Sequence, residues 1–152
     1  ESLWQALDAG IIDCIATDHA PHTLKEKDRP YGKAPSGMPG VETSLAVMLN
    51  HAHNGRCNVN EVVKWMCEKP AELYRMQGKG RVLPGYDADI TIVDLSEEKV
   101  VDRENLLNKS GWSPFEGEKL TGWNKITIVG GKIVYRNGSV DGSVRGKEIQ
   151  FY

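Results

Sequence analysis

The sequence has few of the residues that make several function classes easy to recognise. Its three cysteines, Cys14, Cys57 and Cys67, are odd in number and widely spaced. Neither a disulfide framework nor a cysteine zinc knuckle is expected, and the cytoplasm is the default compartment. Cys14, inside an apolar run, is expected to be a small buried residue. No apolar run approaches the ~20 residues of a bilayer span, and Glu1 to Gly10 is too polar for a signal peptide. Basic residues are not in excess: 19 Lys and Arg stand against 21 Asp and Glu, which argues against nucleic acid or an anionic membrane as partner. The chain does not open with Met, and Ser2 to Ala9 reads as the middle of a folded region, so a fragment is expected. What is present is ordinary globular material, 39% hydrophobic and 26% charged over 152 residues. That supports a packed core rather than disorder.

Local patterns divide the chain. Trp4, Ala6 and Leu7 suggest a short helix stopped by Gly10. Ile11 to Ala16 is a six-residue apolar run, expected to be a buried strand, and polar chemistry begins at Thr17-Asp18. From His19 to Pro39 the chain carries Pro21, Pro30, Pro35 and Pro39 with Gly32 and Gly37. A long irregular loop is expected there, and loops of that length are usually functional. Leu45, Met48, Leu49 and Ala52 mark one helix face, ended by Asn54-Gly55. Asn60 is expected to cap a helix running to Cys67, and Pro70 to open another, closed by Gly78 and Gly80. Asp87 to Ile92 alternates polar and apolar as a half-buried strand does, while residues 95–122 look polar and mixed. Lys125 to Val129 and Lys132 to Arg136, joined by Gly130-Gly131, predict a hairpin, with a further turn at Asn137-Gly138.

The segment with chemical potential is Ala16-Thr17-Asp18-His19-Ala20-Pro21-His22. A strand that ends in a carboxylate and runs into a proline-punctuated loop places Asp18 where α/β barrels carry their active sites. A carboxylate there can ligate zinc through oxygen, or move a proton between a metal-bound water and a leaving nitrogen. His19 and His22 can donate hydrogen bonds to an anionic substrate. By spacing alone, Asp18 fits a turn residue as well. Lys25, Lys27 and Arg29 read as a solvated charged loop, with attraction of an anionic substrate as the alternative, and Trp65, Trp112 and Trp123 as core or sheet-face residues.

Asp18-His19-Ala20-Pro21-His22 resembles the signature that dihydroorotases carry at the end of the eighth barrel strand. Ala34-Pro35-Ser36-Gly37, Gly40-Val41-Glu42-Thr43, Lys69-Pro70-Ala71 and Ser113-Pro114-Phe115-Glu116-Gly117 resemble further segments of that family. Gly80-Arg81-Val82 with Gly85-Tyr86-Asp87-Ala88-Asp89-Ile90 is similar to a run found across the amidohydrolase superfamily. The likeness spans residues ~12–138. It implies an α/β fold: residues 1–80 as the last βα unit and C-terminal helices of a (β/α)8 metal-dependent hydrolase barrel, and residues 81–152 as strands of a small β-sandwich domain. It also implies reversible hydrolysis of the cyclic amide of dihydroorotate to N-carbamoyl-L-aspartate, in pyrimidine biosynthesis. By the same resemblance, two zinc ions would hold the attacking hydroxide. Asp18 would bind one zinc and shuttle the proton, His22 would bond the substrate carboxylate, and Pro35, Ser36 and Gly37 would contact the substrate, with glycine allowing close approach.

The chain departs from that pattern. The family's N-terminal H-x-H pair, bridging lysine or aspartate, other metal histidines and substrate-gripping Arg and Asn are not found in it. His51-Ala52-His53 falls on the predicted helix, where i and i+2 point about 200° apart and do not share a metal. The segment alone is therefore expected to be inactive. A hydantoinase, dihydropyrimidinase or allantoinase is the alternative within the enzymes, against which His22 argues. A non-catalytic amidohydrolase paralogue is the alternative outside them. A homodimer and an association with aspartate transcarbamoylase stay open.

Overall fold

The computed structural model describes residues 1–152. It is a mixed α/β chain of five α-helices, a π turn, one 3₁₀ turn and four strands. Two compact units form, one from residues 1–16, 55–94 and 124–152, the other from residues 17–54 and 95–123.

In the first unit, α1 (Ser2–Asp8) ends where expected, with Gly10 at φ 70°. The strand expected over Ile11 to Ala16 does not form; these residues are irregular. An apolar run becomes a strand only beside other strands, and a helix takes this one instead. Residues 59–73 are continuously helical: α4 (Val59–Val63), a π turn (Lys64–Glu68) and α5 (Lys69–Leu73). The π turn accommodates Pro70. Lys69 N–H bonds Lys64 O, five residues back, and Pro70 has no N–H to offer Trp65 O. That orphaned carbonyl accepts from Ile15 N–H at 3.1 Å. The expected break before Pro70 is thus a change of helical pitch. The N-cap is Asn58 rather than Asn60: its side chain accepts from Glu61 N–H while the Glu61 carboxylate accepts from Asn58 N–H, a reciprocal capping box.

Leu7, Val62, Trp65 and Ala71 are buried here. Trp4 meets Trp65 edge-on at 6.2 Å, and the Arg56 guanidinium lies 4.6 Å from the Trp4 ring centre. Cys14 is half-buried rather than the buried small residue expected, and Cys67 is exposed. The helix does not wait for Gly78 to stop. Arg75, at φ 54°, donates to Glu72 O at 3.1 Å, and Met76 N–H to Ala71 O at 2.9 Å. That is a Schellman closure with arginine where glycine is usual.

The sheet runs β1 (Ile90–Val100), β2 (Lys119–Val129), β3 (Lys132–Arg136), β4 (Ser139–Val140), in that order. The hairpins form as their dipeptides require. Gly130 and Gly131 lie at φ 55° and 78°, and Asn137 and Gly138 at 48° and 89°. Positive φ at both central residues twists the turn with its strands. Asp87 to Asp89 precede β1 instead of opening it. Asp89 N–H closes back on Asp87 O at 2.8 Å, Asp89 Oδ1 accepts the turn amide of Gly130 at 2.7 Å, and Lys79 bonds both carboxylates. β1 and β2 reach further into residues 95–122 than polarity suggested. Their charged residues pair on the surface, as Glu98 does with Lys119 at 2.7 Å.

The second unit is built around Ala46, Val101 and Leu120, with Val47, Leu106, Phe115 and Trp123 packed against them. Helix α3 (Ser44–His53) ends at Asn54, as predicted, and buries Met48 and Leu49 of the expected face together with Ala46, while Leu45 and Ala52 are only half-buried. Gly122 lets it approach β2: a Cβ there would stand 2.5 Å from Leu49 Cβ. Asn50 Oδ1 accepts Thr121 N–H at 3.0 Å alongside.

Candidate active site

Residues 17–40 form a loop that folds back on itself. His19 and Met38 pair in a parallel bridge. Gly37, at φ 97°, presses on Ala20, and Gly40 on Thr17. An added Cβ on Gly37 would lie 2.6 Å from Ala20 O, so only glycine fits. The segments Asp18–His22 and Pro35–Gly37, separate in sequence, are thereby brought together.

Asp18 sits at φ 44°, a left-handed conformation that an Asp tolerates better than most residues. Its side chain is exposed and makes no protein hydrogen bond or ion pair. A carboxylate held on a bent backbone with its oxygens open can accept a ligand or a proton. His19 does structural work. Its Nδ1 accepts Gly40 N–H at 3.1 Å and Val41 N–H at 3.3 Å, which fixes the tautomer with hydrogen on Nε2.

His22 is half-buried, and its carbonyl accepts the Trp112 indole N–H at 2.7 Å. Trp112 therefore serves the loop, where a core or sheet-face role was expected. Lys27 is not the solvated charge expected either. Its ammonium donates to Pro35 O at 2.8 Å and Gly37 O at 3.0 Å, so two of the predicted substrate-contacting residues hang from one cation. The loop is not wholly irregular: α2 (Leu24–Lys27) is capped by Thr23, whose hydroxyl accepts Glu26 N–H. In return the Thr23 hydroxyl and amide bond the Glu26 carboxylate, holding its pKa below the ordinary glutamate value. Ser36 is exposed, with Pro35 and Gly37 half-buried.

Past the loop, the Glu42 carboxylate gathers three N–H groups: Leu107 N at 2.7 Å, Asn108 N at 3.0 Å and Asn108 Nδ2 at 2.9 Å. His51 and His53 lie at the end of α3, as their spacing predicted. No three His, Cys, Asp or Glu side chains converge on a point where a metal could sit. Lys27, Glu42 and Trp112 escaped the sequence reading as parts of the site. Lys27 lies in a charged loop, and the partners of the other two lie 65–90 residues away. The only local signal was the Gly40-Val41-Glu42-Thr43 segment.

The Amidohydrolase family model matches residues 1–134. The chain is 41% identical over 137 residues to the dihydroorotase of Endomicrobium trichonymphae, covering 90% of this chain and 32% of that protein. It is 40% identical over 147 residues to the dihydroorotase of Pyrococcus abyssi, covering 97% of this chain and 35% of that one. Among solved structures, the L-hydantoinase (dihydropyrimidinase) from Arthrobacter aurescens is similar with a TM-score of 0.83 at 38% identity, over 91% of this chain and 32% of that chain. The chain spans about a third of the length of these relatives.

Proposed function

The chain belongs to the amidohydrolase family, and from that premise we propose that it is the C-terminal part of a dihydroorotase, a cytoplasmic enzyme that interconverts dihydroorotate and N-carbamoyl-L-aspartate in pyrimidine biosynthesis. The observation that carries the proposal is the Asp18–His22 segment. A free carboxylate sits on a backbone fixed by His19 and Trp112, in a chain 41% identical to a protein of that name. Residues 1–80 are taken as the last βα unit and helices of a barrel, whose strand, residues 11–16, would form only beside the other barrel strands, and residues 81–152 as strands of a small β-sandwich.

Zinc does not fit this chain's residues alone. A zinc ion takes about four donors, and Asp18 is a single carboxylate with no two others converging beside it. What the chain contributes is an open carboxylate at Asp18, with His22 and the Pro35–Gly37 loop as the surface that receives the substrate. Departure of the ring nitrogen as a carbamoyl NH2 requires a proton at that nitrogen. An aspartate with no competing protein partner can take the proton that the attacking water gives up and pass it to the departing nitrogen. His22, whose main chain is tethered, can direct an imidazole N–H at the substrate carboxylate. The likeness to an L-hydantoinase keeps a cyclic ureide such as hydantoin as the second substrate class.

The test is turnover by the polypeptide encoded by the whole reading frame, offered dihydroorotate, hydantoin, dihydrouracil and allantoin in parallel. Dihydroorotate is expected to be the preferred substrate. Asp18→Ala is expected to abolish turnover while leaving the circular dichroism spectrum unchanged. Preference for hydantoin would transfer the chain to the second class, and near-normal turnover by Asp18→Ala would remove the aspartate from the chemistry.

A further inference from the structure

We propose that Trp112 is a positioning residue for His22, set by an anchor built from Glu42 and Asn108. The assignment of His22 to the substrate rests on the function proposed above, whereas the brace itself does not. His22 is followed by a loop rich in proline and glycine, and no regular element of its own holds its main chain. One contact from a distant part of the sequence does: the Trp112 indole N–H on the His22 carbonyl, at 2.7 Å across 90 residues.

Trp112 needs support to hold anything, because it sits in the irregular stretch between Asn108 and Phe115. Asn108 provides it. Its Oδ1 accepts Gly111 N–H at 3.1 Å and the Ser110 hydroxyl, while its Nδ2 donates to Trp112 O at 3.3 Å. Gly111, at φ 70°, makes the turn that delivers the indole. Asn108 is itself held by Glu42 through its backbone and side-chain N–H groups, with Leu107 N–H as the third donor. Glu42 lies two residues beyond Gly40, whose amide is bonded to His19 Nδ1. The path is closed: His19 fixes the far end of the loop beside Glu42, Glu42 fixes Asn108, Asn108 shapes the Trp112 turn, and Trp112 fixes His22. An imidazole that must meet a small anionic substrate gains from this, since a ligand is bound more weakly in proportion to the time its receiving groups spend elsewhere.

The experiment uses the full-length protein and Trp112→Phe, which keeps an aromatic ring and removes the N–H. The KM for dihydroorotate should rise about 5- to 20-fold with kcat within about twofold, because a contact that serves binding alone moves KM. In a His22→Ala background the same substitution should change KM less than twofold, since the two act through one group. Glu42→Gln should reproduce the KM effect in weaker form. A second readout needs no substrate: tryptic cleavage after Lys25 and Lys33 should be faster in Trp112→Phe than in the parent and little changed in His22→Ala. If the parent protein does not turn over dihydroorotate, the proposed function fails and the cleavage rates alone decide the brace. Unchanged cleavage in Trp112→Phe overturns the brace. Faster cleavage with an unchanged KM, or a KM effect that adds fully to that of His22→Ala, overturns its action through His22.

Discussion

Replacing Gly37 by alanine tests how tightly the loop rests on Ala20. Two costs are separable. A side chain at φ 97° carries a backbone penalty of about 1–2 kcal/mol. The new methyl would also stand 2.6 Å from Ala20 O and 2.7 Å from Ala20 Cβ, where carbon atoms pack comfortably at about 3.5–4.0 Å. One partner must give way by roughly an ångström, an overpacking cost of about 1–3 kcal/mol. Gly32 is the internal control, in the same loop at φ 83° with nothing within 4 Å of an added Cβ. Gly32→Ala carries only the backbone penalty, so the pair should differ by the packing cost of about 1–3 kcal/mol, or about 5- to 150-fold in the population of the opened loop. Trypsin cleavage after Lys25 and Lys33 reads that population when opening and closing are fast relative to cutting. Cleavage in the full-length protein should rank Gly37→Ala fastest, Gly32→Ala intermediate and the parent slowest. Equal rates for the two variants, within about twofold, would mean that the loop does not lie against Ala20 and that Asp18–His22 and Pro35–Gly37 are not held together as described.

Two further expectations concern the first unit. Arg75→Gly should raise stability by about 0.5–1 kcal/mol in urea denaturation, because relief of the left-handed penalty exceeds the entropy gained by the unfolded chain. The Asp89 carboxyl is held below its usual range of about 3.8 by Lys79 first and by Gly130 N–H next. A carboxyl depressed in the folded state adds stability that is fully present above the unfolded value and is lost as pH falls through the lower folded one. Below pH ~4 the parent should therefore lose stability more steeply than Asp89→Asn in acid titrations followed by circular dichroism; parallel acid limbs would remove Asp89 from that role.

The sequence made some of this plain and hid the rest, and the division follows the range of the interactions. Gly130-Gly131 and Asn137-Gly138 announce their turns because the demand for positive φ is met within the dipeptide itself. Helix α3 shows itself, with Met48 and Leu49 on its buried side, because a helix periodicity needs only its own residues. Ile11 to Ala16 misled for the opposite reason: apolar content predicts burial, but a strand also needs neighbours. Here Ile15 N–H goes to a carbonyl orphaned by the pairing of a π turn with Pro70. Polarity misled in residues 95–122 as well, since a strand can carry charges where they pair across to the next strand or face water. For the proposed site, the capacities of Asp18 and His22 could be read from their residue types, while their roles and the Pro35–Gly37 stretch came from the resemblance to dihydroorotases. The residues that hold them could be read in neither way. A lysine in a charged loop gives no sign that its ammonium will close on Pro35 O and Gly37 O, and a tryptophan gives none that its one polar atom will end on a carbonyl 90 residues away. Reactive groups are thus legible by type, while the groups that orient them are ordinary residues whose task is set by the fold. A sequence-level search for this site would find its chemistry and overlook its precision, which is why Trp112, Glu42 and Lys27 are the positions where substitution will teach more than at Asp18.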